Sequence, residues 1–314
     1  MKTPPPLHLA GYQGGTSILT GALTHLARRL DDSSVGTPHL LTDVTAIGQS
    51  AASLFDSVER GERQIGYMAS GYLSARVPEL AVLDLPFSVQ DRATALAALD
   101  GHAGDLLRDA VARQSGFHVL AFWDNGFRHI SNGVRPLRSP ADCRGLVIRT
   151  LDSELYRQAL GALGFQAMTT DVKELVRVVQ DGTVQAQENP LTNLLAFDLW
   201  KHHPHVSMSA HFFGVLLLVC PRAWHEQLKP AQRAELQAAV DEATALQRKS
   251  AAAQDDSALK RLRALGVQVI GPDAMDMPAL RAATAAVRDT YLQRLPADLV
   301  QAYLHTDARE PAVP

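Results

Sequence analysis

Short apolar runs alternate with stretches in which apolar residues recur every three or four positions, from Leu7 to Leu295. Leu7 to Gly11 predicts a strand, and the glycine-rich G-Y-Q-G-G-T-S that follows is a loop. Ile18, Ala22, Leu26 and Leu30 then share one helical face, with Thr16 or Ser17 as its N-cap. His39 to Thr45 is a second strand, Ser50 to Glu59 a second helix and Gln64 to Ala69 a third strand. After L-D-L-P-F at 83–87, Asp91 to Gln114 reads as helix with a glycine break near Gly101 and Gly104, followed by a strand from Phe117 to Phe122. This βαβα order predicts an α/β fold with parallel or mixed sheets covered by helices.

Around Trp123-Asp124-Asn125-Gly126 the pattern becomes turn-like, and a second set of elements begins. These are strands Phe127 to Ser131 and Leu146 to Thr150, helix Ser153 to Leu163, strand Phe165 to Thr169, helix Val172 to Gln180 and strand Val184 to Gln187. Asn189-Pro190 opens a helix to Phe197, and strands His205 to Phe212 and Val215 to Cys220 are separated by Gly214. Asp124 and Gly214 are therefore the expected crossings between two lobes, residues 1–124 with 214–252 and residues 125–213 with 253–314. From Pro230 to Leu265 the helical pattern has no internal glycine or proline. At 1.5 Å per residue it is about 50 Å long, too long for one small domain, so it is expected to brace both lobes. Val267 to Gly271 and Pro278 to Leu295 end the pattern as a strand and a helix.

The 314 residues, 46% hydrophobic and 20% charged, suffice for two such lobes with sizeable cores. A formal net charge of -3, with no run of Lys and Arg among aromatics, argues against nucleic acid as a partner. The most apolar run, Phe212 to Cys220, is about half the ~20 residues of a membrane-spanning helix, so it reads as a core strand and not an inserted segment. Cys143 and Cys220 can pair in an oxidising space or serve as two small buried hydrophobes. No charged segment with an apolar h-region precedes the first strand.

One residue stands out against this pattern. The β-branched run Leu146-Val147-Ile148 stops at Arg149, so a guanidinium sits where a buried strand reaches the sheet surface. Its planar fork fits a carboxylate, whether that of a neighbouring Asp or Glu or that of an acidic ligand. Sites for chemistry are otherwise scarce: no G-x-S-x-G, H-E-x-x-H or C-x-x-C occurs, and no cofactor motif or metal-ligand set is expected. The histidines His202, His203, His205 and His211 surround a proline and read as a solvated loop, and Asp255-Asp256 as a solvated helix face.

The motif P-x-D-x-x-G-x-x-I-R ending at Arg149, then A-L-G, then E-L-x-x-x-x-Q-D-G-x-V-x-x-Q-E-N-P ending at Pro190, resembles the dicarboxylate-type substrate-binding proteins of tripartite ATP-independent periplasmic (TRAP) transporters. Q-I-G-Y-M-A-S-G-Y, L-D-L-P-F, G-F-R-H-I-S-N and L-L-L-V-C-P-R-A-W extend the resemblance, in order, over nearly the whole chain. Family members commonly carry aspartate and glycine before Q-E-N-P, where this chain has Gln185 and Ala186. The resemblance implies a two-lobed periplasmic-binding-protein-like fold, with a mixed sheet in each lobe, that closes on a small carboxylate. It implies a monomer that hands this ligand to a membrane permease in the periplasm, so an export leader would have been removed or lost from a truncated start unless this copy is cytoplasmic.

By the same resemblance Arg149 makes the bidentate carboxylate contact, Asn189 hydrogen-bonds the same end, and Arg128 is a second cationic contact or a structural partner. Phe165 and Phe212 or Phe213 are candidate pocket walls, and Tyr12, Gln13, Tyr67 and Tyr72 candidates from the opposite lobe. Two other readings remain: an enzyme on this scaffold, which needs a general base beside Arg149, and a ligand-sensing module without a permease.

Overall fold

A computed structural model describes residues 5–304; the outermost parts of the two expected lobes, and the region where a leader would join, lie outside the described residues. Nine strands form one mixed sheet: β1 (Pro6–Ala10), β2 (Thr37–Leu41), β3 (Ile65–Ala69), β4 (Phe117–Asn132), β5 (Val147–Thr150), β6 (Gln166–Thr169), β7 (Ala186–Asn189), β8 (His205–Pro221) and β9 (Gln268–Ile270). Their order is β2-β1-β3-β8-β4-β7-β5-β6, with β9 beside β8. The helices are α1 (Ile18–Leu30), α2 (Ala51–Glu59), α3 (Arg92–Asp100), α4 (His102–Gln114), α5 (Pro140–Cys143), α6 (Glu154–Ala162), α7 (Val172–Gln180), α8 (Leu191–Ala196), α9 (Arg222–Gln227), α10 (Pro230–Ala264), α11 (Met277–Leu292) and α12 (Ala297–Leu304).

Local signals place most of these elements. Ser17 caps α1 by accepting from Leu19 N–H, and Asp91 caps α3 by accepting from Thr94 N–H. Helices α3 and α4 meet at Gly101, as the glycine break suggests, and Gly104 allows their close approach: a Cβ there would lie 1.8 Å from the Leu99 carbonyl oxygen.

The two crossings differ from expectation in one respect. Each was read as a gap between strands, yet β4 and β8 run unbroken through them for 16 and 17 residues. Gly126, at φ 83°, absorbs an extra residue as a bulge, shifting the register between Asp124 and Gly126, where Gly126 faces Gly214. The sheets on either side are thereby joined into one. At the bulge a side chain of α10 replaces the ladder: Asp124 N–H donates to Gln247 Oε1 at 2.9 Å, and Gln247 Nε2 donates to the Asp124 carbonyl at 2.6 Å.

Helix α10 spans 35 residues, and its buried residues join separate cores. Leu236, Ala239 and Val240 pack into the cluster around β1, β3 and the outer half of β8, whereas Ala258 and Leu262 pack with Val178, Leu194 and Val206. A third cluster gathers Ile130, Ile148, Leu160 and Phe165. Cys143 and Cys220 are free thiols buried in different clusters, each a small hydrophobe in its core.

Two polar readings are corrected. His203 and His211 are buried, against Ser131 Oγ at 3.0 Å and Ser209 Oγ at 2.7 Å, because strand β8 carries the His205 to His211 stretch into the sheet; only His202 is fully exposed. Asp255 is half-buried and pairs with Arg92, which also lies 3.2 Å from the Asp124 carboxylate, so α10 turns that position toward the crossing.

Replacing Gln247 with Ala leaves two buried backbone groups of Asp124 unpaired. A loss of about 2–4 kcal/mol in unfolding free energy is expected by urea titration. A loss below ~0.5 kcal/mol would mean that the bulge does not depend on this side chain.

Candidate functional site

Arg149 lies near the carboxyl end of β5 and is 2% exposed. Its Nε donates to Thr170 Oγ1 at 3.1 Å and its Nη2 to the Thr170 carbonyl at 2.6 Å. Both acceptors are neutral, and among the described residues no carboxylate pairs with this guanidinium. Burying an unpaired charge is costly, so a partner from outside the chain is the arrangement that balances it.

Arg128 on β4 is equally buried and has the opposite arrangement. Its Nε and Nη2 grip both carboxylate oxygens of Glu188, the glutamate of Q-E-N-P, and Nη2 also reaches the Glu188 carbonyl at 2.9 Å. Glu188 accepts a further bond from Thr150 Oγ1 at 2.9 Å. Burial pushes the Glu188 carboxyl up, but the charge and hydrogen bonds of Arg128, together with His211, outweigh it and hold the pKa at about 2. Of the readings open for Arg128, the structural partner is therefore present, and only Arg149 retains an uncompensated charge.

Both arginines face a half-open cavity of about 30 Å³, room for one or two waters, so this conformation is narrower than an occupied small-molecule site. Four other residues named from the sequence share it: Asn189, Tyr12, Gln13 and Tyr72. The topology explains the convergence. Tyr12 and Gln13 follow β1, Tyr72 follows β3, and Arg149 and Asn189 end β5 and β7, so carboxyl ends of parallel strands from both halves of the sheet meet there. Gln185, at the position where the chain departs from its resemblance, pins β7 to β5 by accepting from Val147 N–H at 3.0 Å.

Four other residues named from the sequence do not line the cavity. Phe165 precedes β6, so it lies at the opposite end of the strand and packs in the core with Ile148 and Leu160. Phe212 is 1% exposed with its ring 4.2 Å from Tyr156, and Phe213 is likewise buried against Phe127. Tyr67 sits one layer behind, and its hydroxyl accepts from Tyr12 N–H at 3.3 Å. Gly11 makes room for it, since a Cβ there would lie 2.9 Å from the Tyr67 ring.

The sequence reading missed Asn125, Asn193 and Phe197, which also line the cavity, along with apolar Leu151 and Val172. A signal existed for two of them: Asn193 and Phe197 follow Asn189 at steps of four, across the turn from the end of β7 into α8, and Asn193 Nδ2 donates to Asn189 Oδ1 at 3.1 Å. A larger open cleft adjoins at Tyr72 and Thr170, but its cation, Arg76, is paired with Glu59 at 2.6 Å. Asp56, Asp152 and Asp171 make that cleft negative, so the smaller cavity is the one suited to an anion. Asp171, beside Thr170, caps α7 and also accepts from Ala51 N–H at 3.1 Å, tying α7 to the start of α2.

The family model described as bacterial extracellular solute-binding protein, family 7 (DctP), matches residues 10–294. The chain belongs to that family. The 2,3-diketo-L-gulonate-binding periplasmic protein YiaO of Escherichia coli is 30% identical over 256 residues, 81% of this chain and 77% of that one. A solute-binding protein of Verminephrobacter eiseniae is 31% identical over 242 residues, 77% of this chain and 71% of its own length. Among solved structures, the sugar acid binding protein DctPAm of Advenella mimigardefordensis, in complex with galactonate, has a TM-score of 0.89 at 23% identity, covering 96% of this chain and 97% of that one. A TRAP periplasmic solute binding protein of Sulfurospirillum deleyianum with bound succinate has a TM-score of 0.88 at 21% identity, covering 97% and 100%. The fold is therefore the two-lobed one of these proteins, and the family is one of solute-binding proteins and not of enzymes.

One buried acid behind the site titrates near neutrality. Asp84, from L-D-L-P-F, accepts from Ser70 Oγ and Tyr156 OH, each at 2.9 Å, and burial pushes its pKa up to about 7. The folded state thus holds this proton more tightly than the unfolded state, so the stability Asp84 contributes is full below pH ~4 and is lost as pH rises through about 7. The Asp84→Asn variant keeps the shape without the titration. Its stability relative to wild type should rise between pH 4 and 8, by on the order of 2–4 kcal/mol, when unfolding midpoints are compared across pH. A constant difference would show that Asp84 does not titrate in this window.

Proposed function

We propose that this protein captures a small organic acid in the cavity between its lobes and delivers it to a TRAP-type membrane permease. The observation that carries the proposal is the buried, uncompensated guanidinium of Arg149 facing a half-open cavity. Its Nη1 donates to no described residue, and neither does Nη1 of Arg128. In this reading Arg149 grips the ligand carboxylate, Asn189 and Arg128 complete that end, and Tyr12, Gln13 and Tyr72 close from the other lobe. The ligands named for the relatives, diketogulonate, galactonate and succinate, are all carboxylates and support the class.

The lobes are assigned as residues 1–124 with 214–252 and residues 125–213 with 253–314, turning about the bulge at Asp124 to Gly126 and its partner Gly214. The paired glycines lie at one of three register shifts between β4 and β8, which supports this place as the turning point. The protein works as a monomer in the periplasm, in keeping with a family of extracellular solute-binding proteins. Among the described residues no helix is long and apolar enough to cross a membrane, so the permease is a separate partner in this reading.

Arg149→Ala and Arg149→Lys test the proposal by calorimetry with an acid that stabilises the wild type. Ala should weaken binding by about 2–5 kcal/mol, and Lys, which keeps the charge but loses the fork, should restore only part. Unchanged affinity in a folded Arg149→Ala protein would overturn the assignment.

A further inference from the structure

We infer that the ligand is a monoanion bearing hydroxyl groups, and that Asn125 and Asn193 select it against diacids of the same length. This inference rests on the carboxylate reading above and adds a charge count and a direction to each hydrogen bond. Only Arg128 and Arg149 are ionised among the residues lining the cavity. Glu188 neutralises Arg128 through both oxygens, which leaves a single positive charge. One carboxylate balances it. A second would find no further cation among the described lining residues, and charges buried without partners are strongly disfavoured.

The neutral groups carry the same message. A guanidinium only donates, so Arg128 fixes Asn189 with Oδ1 toward it, at 3.4 Å, and with Nδ2 toward Gln187 Oε1, at 2.6 Å. Asn193 must then donate its Nδ2 to the same Asn189 oxygen, which leaves Asn193 Oδ1 without a protein donor. A carboxylate, which only accepts, meets that oxygen lone pair to lone pair; a hydroxyl donates to it. Asn125 is buried yet its side chain bonds to no described residue, so it offers a donor and an acceptor side by side. On the other wall Ser17 Oγ donates to Gln13 Oε1 at 2.6 Å, leaving Gln13 Nε2 as a donor. Unused donors and acceptors in one small space match groups that do both, as hydroxyls do, while Leu151, Val172 and Phe197 cover the carbon chain.

The test is calorimetry on the whole protein with acids matched in length: erythronate against succinate, malate and butyrate, then gluconate against adipate and hexanoate. The hydroxylated monoacid of at least one length should bind at least about 10-fold more tightly than every diacid and plain acid of that length. In Asn125→Ala its advantage over the plain acid should shrink by about 10-fold. A diacid that binds as tightly as the hydroxylated monoacid overturns the inference, as does an Asn125→Ala protein with an unchanged ratio. Binding of a diacid through Arg149 would leave the carboxylate reading intact, whereas no binding by any acid in either series would overturn that reading too. The wild-type comparison decides the matter even where the variant fails to fold.

Discussion

Glu188 commits both of its carboxylate oxygens to Arg128, and the rest of the site depends on that commitment. The antiparallel register of β4 on β7 sets Ile130 opposite Glu188 and His129 opposite Asn189, which brings the two side chains together inside the sheet. Without Glu188 the cavity would hold two free guanidinium groups, and a nearby carboxylate would be available to either. With the pair formed, Arg128 becomes a fixed wall and a donor that orients Asn189, while Arg149 stays without a carboxylate partner among the described residues. A buried ion pair of this kind contributes little to net stability, but breaking one is expensive. Its effect here is to determine where the free charge lies.

The scaffold holds that charge in place by using strand ends. Carboxyl ends of β1 and β3 from one half of the sheet and of β5 and β7 from the other open onto one space, and β4 passes beneath it carrying Asn125 and Arg128. The bulge that tilts β4 at this point would expose backbone groups of Asp124 were they not paired with Gln247. Helix α10 thus braces the sheet at its weakest place and, farther along, packs into a second core. Flexibility at the crossing and support of the crossing come from the same few residues.

The parts of this arrangement that were legible in the sequence are those in which one residue breaks its own local pattern. Arg149 ends a buried apolar run, which left an internal salt bridge and an acidic ligand both open until the resemblance was weighed, and Gly126 and Gly214 mark the place where β4 and β8 shift register. The same logic misled at the glycines, because a bulge and a strand break look identical in a single chain; only the pairing of β4 with β8 shows the strands to be continuous. Phe165 and Phe212 illustrate a different limit. Each is an aromatic at a strand end, but whether that end faces the cavity depends on strand direction and on which face packs inward. His203, His211 and Asp255 read as solvated from their neighbours in sequence, whereas their environments are set by residues of other elements: Ser131 for His203, Glu188 for His211 and Arg92 for Asp255.

Arg149 also shows how function and stability oppose one another in this fold. Two neutral oxygens of Thr170 fix its guanidinium without cancelling its charge, so the fold carries an electrostatic debt, which an acid relieves in the proposed reading. An aspartate at Thr170 would settle that debt internally and close the site to anions. The next residue is an aspartate, but Asp171 faces outward to the starts of α7 and α2, where its charge serves two helix N-termini. A single step along the backbone thus separates a carboxylate that supports the fold from one that would abolish the site, and the left-over charge of Arg149 follows from that placement.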